Sequence, residues 1–169
     1  MSPDPPTLNV RDPIPEPAPA TTASPGRLVV PHRVLDVLRS RAAAGYPYEV
    51  CGLLVGARSR RAIAVRRATD ARNLAAEHRR VRYELDPRDF LAADAEARRD
   101  GLDVIGVWHT HPDHPARPSP TDLAAAWEGF TYLILSAGAR GALEARAWWL
   151  GDGRFVEQPL EETEETRDE

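Results

Sequence analysis

The chain has 169 residues, enough for one domain with a substantial core. Its 22 basic residues are all arginine against 26 acidic ones, a net charge of -4, which argues against nucleic acid as a partner and leaves no lysine amine for Schiff-base chemistry. The single cysteine, Cys51, excludes an intrachain disulfide and a paired-cysteine zinc ribbon. No run approaches the ~20 apolar residues needed to cross a bilayer, and the N-terminus lacks a secretory pattern, so a soluble, cytoplasmic protein is expected.

Residues 1–26 are rich in Pro, Ala, Asp and Thr and offer almost nothing to bury, so they read as a disordered tail. A domain over 27–160 follows, and the acidic run 161–169 reads as a second, frayed tail. Within the domain, Leu28-Val29-Val30 suggests a short strand. Pro31 suits the first turn of a helix that carries Val34, Leu35 and Leu38 on one face and ends at Gly45. Strands are expected at 50–56 and 62–67, a polar loop at 69–80, and a short strand at 82–85. Asp86 and Pro87 form an N-cap and first-turn pair for a helix through Arg99, with Gly101 as its stop. Val104-Ile105-Gly106-Val107-Trp108 reads as a buried strand, a short helix begins near Pro120, and strands are expected at 130–136, 143–150 and 154–156. Strands predominate with about three helices interspersed, so the class is α/β (α+β) with a mixed sheet.

The most informative segment is HTHPDHPARPSPTD, from His109 to Asp122, at the carboxyl end of that buried strand. Side chains two apart on a strand share a face, so His109 and His111 can reach one point while Trp108 and Thr110 face elsewhere. Ten residues separate His111 from Asp122, whose carboxylate a turn could return to the same point. Two imidazoles and a carboxylate are three protein ligands, the number a catalytic zinc keeps with water in its fourth position; non-heme iron uses the same set. Ser119-Pro120-Thr121-Asp122 also fits a capping box, and alone those four residues would only start a helix. His114 lies between the ligands, in a loop flanked by prolines, where an exposed or substrate-facing role fits better than ligation. His32 and His78 read as surface residues. Glu49 precedes the apolar run Val50-Cys51-Gly52-Leu53-Leu54-Val55; at a strand entrance a glutamate is usually just solvated. Cys51 reads as a small buried hydrophobe rather than a reactive thiol, and Gly52 suggests close approach of another backbone. Trp148-Trp149 puts at least one indole on the outward face of its strand, as a dimer contact or docking surface.

Together these segments resemble the JAMM, or MPN-plus, zinc metalloproteases. The resemblance rests on Glu49 followed by Cys51-Gly52-Leu53-Leu54 and Gly56, then Gly106-Val107-Trp108-His109-Thr110-His111-Pro112, Pro118-Ser119 and Asp122. It implies a mixed sheet flanked by helices, laid out like the cytidine deaminase fold. It implies that His109, His111 and Asp122 ligate Zn2+, that Glu49 acts as general base and then acid, and that Ser119 hydrogen-bonds the oxyanion. Thr110 stands where a serine is often found, a change expected to be neutral.

The resemblance further implies cleavage of the amide or isopeptide bond after the C-terminal Gly-Gly of a ubiquitin-like, β-grasp protein; among compact bacterial relatives this is a sulfur carrier. Arg72, Arg79, Arg80 and Arg82 could meet an acidic patch on such a partner. Neither nucleic acid nor membrane is expected as a partner, and the protein would be a monomer or homodimer. The competing readings are a non-catalytic MPN scaffold, which would typically have lost ligands that this chain keeps, and a phage-tail or cell-wall peptidase of the same fold. A hydrolytic deaminase would need a His-x-Glu and paired-cysteine signature, and Cys51 is alone.

Overall fold

The computed structural model describes residues 26–75 and 77–164. Eight strands and three helices follow in the order β1 (Arg27–Pro31), α1 (His32–Gly45), β2 (Cys51–Arg58), β3 (Ala62–Ala71), α2 (Pro87–Arg99), β4 (Asp103–Pro112), α3 (Pro120–Ala125), β5 (Thr131–Gly138), β6 (Gly141–Gly151), β7 (Arg154–Gln158) and β8 (Leu160–Thr163). The strands form one mixed sheet ordered β7-β6-β5-β4-β2-β3-β1-β8. The expected α+β class with helices flanking a mixed sheet is therefore what the chain adopts. Its two end strands, β7 and β8, are joined by the single residue Pro159, so the sheet must curl until its edges meet.

Helices cover both faces. Val34, Leu35, Leu38 and Ala42 of α1 pack with Leu54, Ile105, Trp108, Leu133, Leu135 and Trp149. Phe90, Ala93 and Ala97 of α2 pack with Leu53, Val55, Val104, Val107 and Tyr132 on the other face. Pro31 is the N-cap of α1 rather than part of its first turn, because its extended backbone (φ -60°, ψ 140°) still belongs to β1. The helix α2 starts as expected, with Asp86 Oδ1 accepting from Arg88 N at 2.9 Å. It ends where Gly101, at φ 69°, lets Gly101 N reach Arg98 O and Leu102 N reach Ala97 O.

One irregularity sets which face the histidines take. Opposite β2, Leu54 pairs with Gly106 but Val55 pairs with Val104, leaving Ile105 as an extra residue on β4. The bulge reverses the alternation: Ile105 and Trp108 both lie under α1, whereas Val104 and Val107 lie under α2. Residues 107, 109 and 111 consequently share the α2 face.

Three further expectations, all about strands, change. First, β3 runs on to Ala71, past the expected start of a loop at 69, because β2 pairs with it as far as Cys51 opposite Ala71. Second, the strand expected at 82–85 reduces to one bridge between Asn73 and Leu85. There the Asn73 amide takes over, accepting from Ala75 N and Glu84 N and donating to Glu49 O and Arg82 O. Third, the acidic tail expected from 161 begins as β8, parallel to β1. Arg27 neutralises Glu161 at 2.7 Å, and His32 and Arg39 each reach Glu162 at 2.9 Å. The tail expected at 1–26 lies, apart from Gly26, outside the described residues, as do residues 165–169.

Gly52 justifies the close approach that its place in a strand suggested. A Cβ there would overlap the carbonyl oxygen of Thr69 and the Trp108 indole, which donates to that same oxygen at 2.9 Å. Gly52→Ala is expected to lower unfolding free energy by about 3 kcal/mol in a denaturant titration; a change under about 0.5 kcal/mol would show that the strands separate freely.

Candidate active site

The end of β4 and the start of α3 bring the chemical groups together. Nε2 of His109 and Nε2 of His111 lie 3.2 Å apart. Asp122 Oδ2 is 3.0 Å from the His111 nitrogen and 3.4 Å from that of His109. Glu49 Oε1 is 3.8 Å from His111 Nε2. Ligand atoms of Glu49, His109 and His111 all fall within 4.8 Å of one another. Asp122 is outside that mutual set, yet its oxygen is nearer the His111 nitrogen than is Glu49, and close to both imidazoles. His114 is exposed and stands outside the cluster.

Each side chain is held by identifiable neighbours. His111 Nδ1 faces the Pro115 carbonyl at 2.8 Å; a carbonyl only accepts, so the proton of a neutral His111 sits on Nδ1 and the Nε2 lone pair is presented to the cluster. His109 stacks on Tyr83, with centroids 4.4 Å apart. Ser119 caps α3: its Oγ accepts from Asp122 N at 3.0 Å, and its own N–H donates to Asp122 Oδ2 at 2.8 Å. The same carboxylate oxygen thus completes the helix start and faces the imidazoles. Capping and site-building are one arrangement.

Glu49 is fixed by backbone. Its N–H donates to Arg79 O at 2.6 Å and its carbonyl accepts from Asn73 Nδ2 at 3.1 Å. The next residue is clamped to β4, since Val50 O accepts from Thr110 N and Val50 N donates to Thr110 Oγ1, both at 3.0 Å. Thr110 does point away from the imidazoles, and its hydroxyl ties the glutamate-bearing segment to the histidine-bearing strand.

Burial governs the electrostatics. Desolvation pushes the Glu49 carboxyl up to about 8, only partly offset by His111. Burial also pushes Asp122 up, but the two adjacent imidazoles and the Ser119 N–H outweigh it and hold that carboxyl well below the usual range. Burial lowers His109; for His111 the same burial is outweighed by Asp122 and the Pro115 carbonyl, and its pKa is raised. Burial drives the Cys51 thiol up to about 12, as suits an inert, buried side chain.

Two imidazole nitrogens and a carboxylate oxygen facing one another at 3.0–3.4 Å are three electron-pair donors with little between them. Nearby, Glu49 Oε2 is buried with no hydrogen-bond partner among the described residues. This donor set fits a divalent cation with a water beside the glutamate, and the arrangement is consistent with a metal site. Glu49, His111 and Ser119 open on a cleft of about 380 Å³, walled by Arg80 and Val81 on one segment and by His114, Pro115, Arg117, Pro118 and Thr121 on another.

Sequence reasoning missed the supports. Asn73 sits where a strand ends and carries a side chain suited to backbone mimicry, a usable signal. At least one indole of Trp148-Trp149 is expected to face outward, but Trp149 is buried and Trp148 is partly buried, its indole donating to Ala116 O at 3.0 Å, while Glu144 Oε1 accepts from Ala116 N at 3.1 Å. Those two β6 side chains pin the residue after Pro115, whose carbonyl orients His111. Trp148→Phe is expected to weaken metal affinity about tenfold while costing only about 1 kcal/mol of stability. Competition with a chelating dye measures the first and thermal unfolding the second; unchanged affinity would make the indole bond irrelevant to the site.

A buried glutamate beside an imidazole–carboxylate cluster is an arrangement that suits metal-assisted hydrolysis. Residues 31–151 match the family model described as prokaryotic homologs of the JAB domain, and the chain belongs to that family. A relative named desampylase, from Haloferax volcanii, is 38% identical over 120 residues, covering 70% of this chain and 82% of that protein. A probable TtuB-protein conjugate cleaving protease from Thermus thermophilus is 31% identical over 129 residues, 76% of this chain and 80% of its own. The solution structure of a protein from Desulfitobacterium hafniense superposes with a TM-score of 0.72 at 27% identity, covering 83% of this chain and 95% of that one. Among the described residues no helix is long and apolar enough to cross a membrane.

Proposed function

We propose that this protein is a zinc-dependent peptidase or isopeptidase that hydrolyses the amide bond after the C-terminal Gly-Gly of a ubiquitin-like, β-grasp protein, a sulfur carrier included. The observation that carries the reading is the convergence of His109, His111 and Asp122 beside the orphaned carboxylate oxygen of Glu49, at the end of a cleft. Support for the substrate comes from the relatives, two of which are named for removing protein conjugates. Zinc suits mixed imidazole and carboxylate ligation, and when bound it would lower the pKa of a water and polarise the scissile carbonyl.

His109, His111 and Asp122 are assigned as the ligands. Glu49 takes the proton of the attacking water and returns it to the leaving amine, a transfer that its raised pKa suits. The Ser119 hydroxyl oxygen accepts from Asp122 N, so its own O–H remains to donate to the oxyanion, a contact worth about 3 kcal/mol at the transition state. Val81 and Pro118 line the cleft, which a tail without side chains would enter without obstruction. The unpaired, buried Cys51 suits a reducing compartment and supports the cytoplasm as the place of action.

The test is incubation of the zinc-loaded protein with β-grasp proteins extended beyond Gly-Gly, either by a peptide or through a lysine side chain. Mass spectrometry is expected to find a single cut after the second glycine. Cuts elsewhere, or none, would overturn the assignment.

A further inference from the structure

The arginines around the cleft divide into two groups. Arg72 lies 3.6 Å from Asp86 and 3.7 Å from Asp89, so its charge is used within the fold. Arg79, Arg80, Arg82 and Arg117 are exposed and none has a carboxylate within 4 Å among the described residues, although Arg79 Nε donates to Ala75 O at 2.9 Å and Arg117 lies in the field of Glu157. Arg80 stands on one wall of the cleft and Arg117 on the other. Next to them two apolar side chains are left in solvent: Tyr48 is 51% exposed and Val81 is 56% exposed. The Arg80 guanidinium lies 6.0 Å from the Tyr48 ring centroid. Tyr48, His78, Arg79, Arg80 and Val81 line an outer depression of about 700 Å³. That depression shares Arg80 and Val81 with the cleft, so one surface runs from the site to the outer lip.

A positive, partly apolar lip on a chain of net charge -4 is a local feature rather than a general property of the surface. The segment 72–85 offsets it with two acids, Glu77 and Glu84. If the substrate ends in Gly-Gly, the tail brings no side chain to recognise, and affinity has to come from contacts outside the cleft. An apolar centre with charged groups at its rim is how interfaces of that kind are built, the charges serving mainly to steer and select the partner.

We propose that Tyr48 and Val81, framed by Arg79, Arg80 and Arg82, dock the folded body of an acidic ubiquitin-like partner whose tail passes Arg80 and Val81 into the cleft. The inference rests on the substrate reading above and adds the surface that selects the partner. An apolar side chain of the partner covers Tyr48 and Val81, and its carboxylates face the arginines.

Binding is measured on Glu49→Gln protein, which holds its partner uncleaved. The probe is a ubiquitin-fold protein of net negative charge, with Gly-Gly joined to a dye-labelled lysine peptide. Arg80→Glu combined with Val81→Asp is expected to raise Kd at least about tenfold and to flatten its salt dependence. Arg80→Lys is expected to stay within about threefold, since the charge that steers the partner is kept. Both positions are exposed, so an unchanged melting temperature certifies the fold of each variant.

Equal Kd in wild type and the charge-reversed variant would overturn the proposal. So would equal binding of a probe whose surface Asp and Glu are replaced by Asn and Gln, or no binding of the acidic probe. A dimer in sedimentation that the same variants dissolve would seat a second copy there and also overturn it. Cleavage is scored separately with Glu49 restored: a conjugate cut with no effect of the variants sinks the docking surface alone, and docking without a cut sinks the hydrolase reading alone.

Discussion

Glu49→Gln is expected to reduce turnover about a thousandfold while zinc stays bound. Glutamine is nearly the same shape as glutamate, so the Asn73 and Arg79 contacts to the Glu49 backbone survive the change. What disappears is a carboxylate able to accept a proton. The measurement pairs single-turnover cleavage with metal content, and the pairing decides between two roles. Glu49, His109 and His111 form a mutually close set, so a ligand role for Glu49 would show as metal lost together with activity. Asp122 Oδ2, at 3.0 and 3.4 Å from the two imidazoles, is the better-placed third ligand. Metal retained and activity lost is therefore the expected result, and full activity in the variant would remove Glu49 from the mechanism altogether.

The second large effect follows from taking away the imidazoles. His109→Ala with His111→Ala is expected to bring zinc from about one per chain to background in elemental analysis. Metal bound only by the folded chain adds stability by mass action, about 4 kcal/mol at a free metal concentration 1,000 times Kd. For a domain of this size that is on the order of 10 °C. Chelation should therefore lower the melting temperature of the wild type by about this amount and leave the double variant unmoved. Equal metal content in the two proteins would place the site elsewhere. Asp122 is a less clean probe, because its carboxylate also accepts from Ser119 N and its loss weakens the start of α3.

Local chemistry was legible wherever it acts over a few residues. Asp86-Pro87 opens α2 and Gly101 closes it, because cap and left-handed turn depend on near neighbours. His109 and His111 share a face because strand alternation needs no other information than their spacing. Ser119 to Asp122 made a capping box in the sequence and makes one in the structure. The strand expected at 82–85 failed for the opposite reason: whether it pairs depends on Asn73, whose amide occupies the backbone groups that a ladder would use. The start of the acidic run after residue 160 reads as a frayed tail because the partners of Glu161 and Glu162, namely Arg27, His32 and Arg39, lie more than a hundred residues earlier in the chain.

From sequence alone come the candidate ligands His109, His111 and Asp122, and, through family resemblance, the oxyanion role of Ser119 and the acid-base role of Glu49. Residue type and short spacing carry most of that information. The tertiary structure alone decides that these groups meet. A bulge at Ile105 turns the histidines toward α2, Thr110 bonds to Val50 and brings Glu49 beside them, and β6 pins the loop that orients His111. These are contacts between segments distant in the chain, set by register and packing, and a single sequence carries no direct record of either.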